Sequence, residues 1–232
     1  MGNVRELMAR LGPSTVKFDT GRGGTPDLTN QDIAAALGMV PAGLGRELLE
    51  ALWWPESGAR RMQQLRQAVI ALMAPEFTRQ QKALAEARTE LGIAKTCMGW
   101  GGGTVTDMQR KEFLRAEAKL EATRALSWPN NTMEQLGTLA GAVITELANA
   151  GCCNQCEGRG STPHRGGAVE CDGCDGSGIE PMSGRQRALA IGSDQSAYRR
   201  FWRPVYEWML ERLREAESDA AHALRMALGR AA

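Results

Sequence analysis

Residues 153–178 read CNQCEGRGSTPHRGGAVECDGCDGSG, and within them the pattern C-x-x-C-x-G-x-G occurs twice, at Cys153–Gly160 and at Cys171–Gly178. Two residues between paired cysteines let both thiolates reach one ion from a single tight turn, and the glycines beyond them supply backbone angles that aim neighbouring amides at sulfur. Two such knuckles complete a tetrahedral four-sulfur shell with no open position, which predicts one structural Zn2+ held by Cys153, Cys156, Cys171 and Cys174. Fourteen residues separate Cys156 from Cys171, a spacing suited to paired knuckles. Binding of this kind contributes roughly 10–16 kcal/mol, so the loop is expected to be unfolded without its ion. Cys152 could replace Cys153, but the C-x-x-C spacing and the glycine register both fit Cys153. His164, in the intervening loop, is expected to face solvent, and the isolated Cys97 to be a plain buried thiol.

Beyond the second knuckle, Ser183 can cap a short helix through Ala190, Gly192 and Ser193 form a turn, and Asp194 or Ser196 caps a long second helix. This is a candidate helix-turn-helix. Arg185 and Arg187 stand on the first helix, while Gln195, Ser196, Tyr198, Arg199, Arg200 and Arg203 crowd the first turns of the second. These side chains suit base edges and phosphates, and in such motifs the start of the second helix enters the major groove of double-stranded DNA. Phe201, Trp202, Val205, Trp208, Met209 and Leu213 form the expected apolar face, with Pro204 expected to kink the helix.

Upstream, the sequence reads as a series of helices separated by loops. Lys17–Leu28 has no apolar period and reads as a loop or linker after a short leading helix. Thr29 or Asn30 can cap the helix QDIAAALG, and GLGRELLEALWW follows after Pro41, a second helix-turn-helix pattern whose second helix carries glycines and a lone Arg46 and so reads mainly as packing. Met62, Leu65, Val69, Leu72 and Met73 lie at helical spacing, Pro75 is expected to end that helix, and another is expected from Thr78 to Leu91. After a break at Gly99–Gly103, Thr106 or Asp107 can cap a helix to about Leu126, and a last one runs from Met133 with Leu136, Leu139, Val143, Ile144 and Leu147 on one face. The expected fold is all-α, a multi-helix bundle with an inserted four-cysteine zinc-knuckle loop and a carboxy-terminal helix-turn-helix. Its segments are 1–28 (short helix and linker), 29–151 (helical body), 152–179 (zinc insertion) and 180–232 (helix-turn-helix and a long helix packing on the body).

Composition narrows the class. Only 5% of residues are aromatic against 43% hydrophobic, which favours helices over sheet. A formal net charge of +1 means that any nucleic-acid binding must come from locally clustered arginines. No apolar run is long enough for a membrane span and no signal peptide is evident, so a cytoplasmic location is expected. Two histidines, with no Ser-His-Asp, His-Glu-x-x-His or paired-carboxylate arrangement, point away from an enzyme and from a small-molecule substrate.

QDIAAALGM, the doubled C-x-x-C-x-G-x-G, and the carboxy-terminal run through Gln195, Tyr198, Arg200 and Arg203-Pro204-Val205-Tyr206 together resemble the late-gene antitermination protein Q of lambda-like phages. The resemblance covers most of the chain from about Val16 to Leu228. The zinc repeats alone are also similar to those of DnaJ-type chaperones, so the pairing with the Gln-x-x-aromatic-x-Arg segment decides it. The resemblance implies a factor that binds promoter DNA, loads onto paused host RNA polymerase near its flap, with sigma factor and NusA as further partners, and suppresses pausing and termination. Cys153, Cys156, Cys171 and Cys174 match the family's zinc ligands, and Arg187, Gln195, Tyr198, Arg200 and Arg203 fall on its helix-turn-helix. The turn between those helices is shorter here, and Ala59–Ala125 matches poorly. The alternatives are a chaperone-like zinc module that holds protein clients, and an ordinary repressor reading DNA through Gln31–Leu49.

Overall fold

A computed structural model of the 232-residue chain describes residues 4–9, 11, 29–54, 58–99, 105–149, 151, 153–157, 159–164, 167–174, 176, 178–180 and 182–231. The expected linker Lys17–Leu28, Cys152, the side chain of His164 and most of the Gly99–Gly103 break lie outside these. The elements are α1 (Val4–Ala9), α2 (Asn30–Met39), α3 (Leu44–Leu48), α4 (Ala59–Gly99), α5 (Asp107–Leu126), α6 (Thr132–Ala148), β1 (Ser161–His164), β2 (Gly167–Glu170), α7 (Gly184–Ala190), α8 (Gln195–Ala197) and α9 (Arg203–Ala231). Turns of π-helix extend α3 at Leu49–Trp53 and join α8 to α9 at Tyr198–Trp202. No helix among the described residues is long and apolar enough to cross a membrane.

Helix starts follow capping chemistry. Thr29, Thr106 and Ser183 each accept a hydrogen bond from the amide three residues on, while Asp32, Gln109 and Gln186 reach back to the cap amide. These reciprocal boxes satisfy amides that the first turn would leave open. Pro75, by contrast, does not end a helix. It sits inside α4, which absorbs both helices expected on either side of it. Proline donates no hydrogen bond, so the helix forgoes the one from residue 75 to the carbonyl of Ala71. The Ala-, Gln-, Glu- and Arg-rich turns on both flanks favour helix strongly enough to carry it through.

Contacts divide the chain into two units, Met1–Ile70 with Gly137–Ala232, and Ala71–Leu136. The smaller unit is a helical hairpin with a slim core of Leu84, Ala87 and Leu120, flanked by Leu91. Lys119 pairs with Glu90 at 2.6 Å, and Gln109 Nε2 donates to the carbonyl of Cys97 at 3.0 Å. Cys97 is half-buried there, more open than expected.

In the larger unit, α1, α2 and the turn after α3 gather on the carboxy-terminal half of α9. Met8, Ile33, Leu37, Leu49, Leu224 and Leu228 belong to one buried cluster, and Trp53 Nε1 donates to Glu217 at 3.1 Å. Here α3 touches α9 almost backbone to backbone: a Cβ on Gly45 would stand 2.1 Å from the carbonyl oxygen of Ala216. Arg46 pairs with Glu50 at 2.9 Å and points Nη1 toward the carbonyls of Gly38 and Val40. Within the run Gln31–Leu49, the buried side chains Ile33, Ala36, Leu37 and Leu49 and the close approach at Gly45 are occupied with packing on α9 and its cluster. Gly45→Ala should therefore cost about 1–3 kcal/mol by forcing α3 off α9, read as a lower midpoint in urea unfolding.

Candidate functional site

The chain leaves α6 at Ala148, passes through the cysteine loop and returns at Gly184. Its two knuckles bond to each other reciprocally. The amide of Cys153 donates to the carbonyl of Gly178 at 2.9 Å, and that of Cys171 to the carbonyl of Gly160 at 3.0 Å. The same glycines turn their own amides onto sulfur, Gly160 to Cys156 at 3.3 Å and Gly178 to Cys174 at 3.2 Å. Both occupy the left-handed region, at φ +72° and +73°, where a side chain is strained. The repeat legible in the sequence is thus a local two-fold in space.

Between the knuckles, β1 and β2 form an antiparallel hairpin in the register Ser161 to Glu170 and His164 to Gly167. The all-α expectation missed it. The fold remains mostly helical, and the hairpin exists because the spacer must double back to bring Cys171 beside Cys153. Its β2 side chains are exposed and contribute no core.

All four sulfurs are buried and lie within 4.8 Å of one another, with Cys153 to Cys171 at 3.9 Å and Cys156 to Cys174 at 3.7 Å. A tetrahedral ion with sulfur at ~2.3 Å has edges of ~3.8 Å, so the shell fits such an ion. The protonation state points the same way. At Cys156 burial opposes ionisation, but the Gly160 amide and the neighbouring sulfurs bring the thiol down to about 7. At Cys171 burial and the same neighbours push it up to about 12. Cys156 is thus eased toward the thiolate and Cys171 held back from it, and a dication is the charge that favours the ionised form at every sulfur. The four cysteines can hold a metal ion, and together they leave no coordination position for a substrate.

Behind the loop lies a second buried polar centre. Glu146 of α6 is 7% exposed, and its carboxylate receives Arg187 of α7 through two bonds of 2.9 and 2.6 Å and the Tyr206 hydroxyl of α9 at 2.8 Å. Arg214 approaches it at 3.9 Å. The Arg187 guanidinium also stands 5.2 Å over the Tyr206 ring, whose edge contact with Tyr198 is 5.9 Å. Burial works against the charge on Arg187, but Glu146 holds its pKa above the ordinary arginine value, while burial and the Glu146 carboxylate raise that of Tyr206. The loop is closed at its neck, where the Glu180 amide donates to the carbonyl of Gly151 at 2.9 Å.

This centre corrects two expected DNA contacts. Arg187, with 11% of its side chain exposed, is committed to Glu146, and Tyr198 is 1% exposed. Both hold the helices together and are turned away from solvent. Arg185, Gln195, Ser196, Arg199, Arg200 and Arg203 are exposed, and Gln195, Ser196, Arg199 and Arg200 line one open depression with Asp194. The Asp194 side chain caps α8 by accepting the amides of Ser196 and Ala197 at 2.9 Å, and the Ser196 hydroxyl with those amides keeps its carboxyl below the usual range. Phe201, expected in the core, is 48% exposed and lies under the Arg200 guanidinium at 5.1 Å. The π turn lets Arg199, Arg200 and Phe201 all face outward while Tyr198 and Val205 face in.

Sequence reasoning passed over Glu146. Its signal was a single acid on the apolar stripe of α6, three residues after Val143 and seven after Leu139. No protein-family model matches this chain, and no curated protein matches it.

Glu146→Ala should leave Arg187 buried without its main carboxylate and cost about 3–5 kcal/mol, measurable by urea unfolding of the metal-loaded protein. Gly160→Ala sets a Cβ 2.3 Å from the carbonyl oxygen of Gly176 at φ +72°. The expected result is metal held at least about tenfold more weakly, measured by competition with a chromophoric chelator.

Proposed function

We propose that this chain is a DNA-binding transcription factor whose four cysteines hold one structural zinc ion, acting as the Q-type late-gene antiterminators it resembles act. The observation that carries the reading is the exposed row Gln195, Ser196, Arg199, Arg200 and Arg203 at the amino-terminal turns of a helix that follows α7 and a tight turn. That is where a helix-turn-helix offers side chains to the major groove. Arg185 on α7 adds a further exposed cation.

Cys153, Cys156, Cys171 and Cys174 would hold the zinc, whose chemistry is to keep four thiolates ionised and fix the knuckles. The remaining work belongs to the chain. Gly160 and Gly178 orient amides to sulfur, Glu146 and Arg187 seat α7 on α6, and Asp194 starts the reading helix. Arginines on that helix would supply phosphate contacts and bidentate guanine contacts, with Gln195 suited to adenine. The partners in this reading are duplex promoter DNA and a paused host RNA polymerase approached near its flap, with sigma factor and NusA engaged in the same complex. A chaperone-like reading would call for apolar grooves beside the cysteines. Among the described residues, the depression at the neck of the loop is lined by Thr145, Glu146, Asn149, Gly151, Glu180, Met182 and Gln186, a mostly polar set with one apolar side chain, which supports the transcription reading.

Metal analysis should find one zinc per chain, lost in Cys156→Ser. Arg199→Ala and Arg200→Ala should each weaken duplex binding by about tenfold, with a salt dependence shallower by about one where the contact is to phosphate. Transcription in vitro through a terminator should show readthrough only on templates carrying the late-promoter site. Readthrough on every template, or none with the zinc-loaded protein, overturns the assignment.

A further inference from the structure

Arg203 differs from the other exposed arginines of the helix pair. Among the described residues, Arg185, Arg199 and Arg200 have no carboxylate in ion-pair range, whereas Arg203 Nε sits 2.8 Å from Glu207 Oε1, one turn along α9. The same oxygen is 3.8 Å from Nη1 of Arg187. Arg187 is already neutralised by its two bonds to Glu146, so it does not need Glu207. Glu207 is 44% exposed in its side chain and Arg203 59%, so both ends of the outer pair are open to an arriving ligand.

A phosphate or base edge approaching Arg203 must displace this carboxylate and meets its negative charge on the way. The displaced Glu207 is not stranded, because Arg187 waits on its other side. An exposed pair of this kind is weak, about a factor of two in an equilibrium constant. It therefore discriminates between contacts that barely repay opening and contacts that repay it several times over. A lone phosphate on arbitrary duplex is of the first kind, and a bidentate guanine contact is of the second.

Resting on the DNA-binding reading above, we propose that Glu207 is a positioning residue that holds Arg203 away from loosely bound duplex and yields it only where the DNA offers that guanidinium a better anionic or bidentate partner. Glu207 touches no DNA itself. It acts through Arg203, and its removal strengthens indiscriminate binding.

The test uses the full, zinc-loaded chain and a fluorescein-labelled duplex of about 30 base pairs of mixed sequence, with Kd measured by anisotropy across a salt series. Glu207→Gln should bind about twofold more tightly than wild type, with a log–log salt slope steeper by about one, because Arg203 now displaces a counterion. Glu207→Asp keeps the charge but draws it back from Arg203 and should show part of the same gain. In an Arg203→Ala background, Glu207→Gln should change nothing. Zinc content and helical circular dichroism of each variant should equal wild type, since neither side chain is buried.

Binding by Glu207→Gln no tighter than wild type overturns the proposal. So does a gain that survives in the Arg203→Ala background, which would be the plain effect of deleting a negative charge near DNA. Wild-type protein that ignores the duplex even at low salt overturns the DNA-binding reading and this inference together. Wild-type binding with an indifferent Glu207→Gln overturns this inference alone.

Discussion

A carboxylate in an apolar stripe has to be answered, and the carboxy-terminal half of this protein is arranged around the answer. Glu146 lies among Val143, Ile144 and Leu147 on α6, where an unpaired charge would cost far more than a helix interface returns. Arg187 meets it with a two-pronged bond and Tyr206 with a hydroxyl, one from α7 and one from α9. Apolar side chains of similar volume could hold the three helices as firmly. What they lack is direction: a guanidinium forks onto a carboxylate in few orientations, so the pair sets the rotation of α7 about its axis as well as its position.

The cysteine loop is an excursion between two clamped points. It begins just after Glu146 and ends just before Arg187, and the bond from the Glu180 amide to the Gly151 carbonyl closes its neck. Within it the knuckles are joined by the two reciprocal backbone bonds and a shared sulfur shell. Little apolar area is available to order such a segment, since the β2 side chains are all exposed. Order comes instead from the buried sulfur cluster, which can hold a metal ion, and from charge pairing at its base. The exposed arginines stand downstream of both.

Much of this was legible from residue types alone. Thr106 and Ser183 start helices because a box partner lies three residues on, and the four sulfurs meet because duplicated spacing allows little else. What escaped was set by partners distant in sequence. Arg187 and Arg185 look alike on α7, and only the position of Glu146, on another helix, turns one inward and leaves the other out. Tyr198 likewise goes in because Tyr206 offers an edge to pack against. Pro75 misled for a local reason: the rule that proline ends helices weighs one lost bond and ignores the long favourable flanks that outvote it. The hairpin β1–β2 has no apolar alternation to betray it, because it is shaped by the need to bring its ends together.

From Arg203 the chain runs as a single helix of 29 residues to Ala231, a rod about 44 Å long. Its near end begins at the π turn among the exposed arginines, and its distal turns carry Leu224 and Leu228 into the cluster with Met8 and Leu37. A strut of this kind transmits load without a conformational switch. Pull or twist applied at the arginine-bearing end passes along it to the seat of the amino-terminal helices, shared on the way with α6 where Tyr206 bonds Glu146.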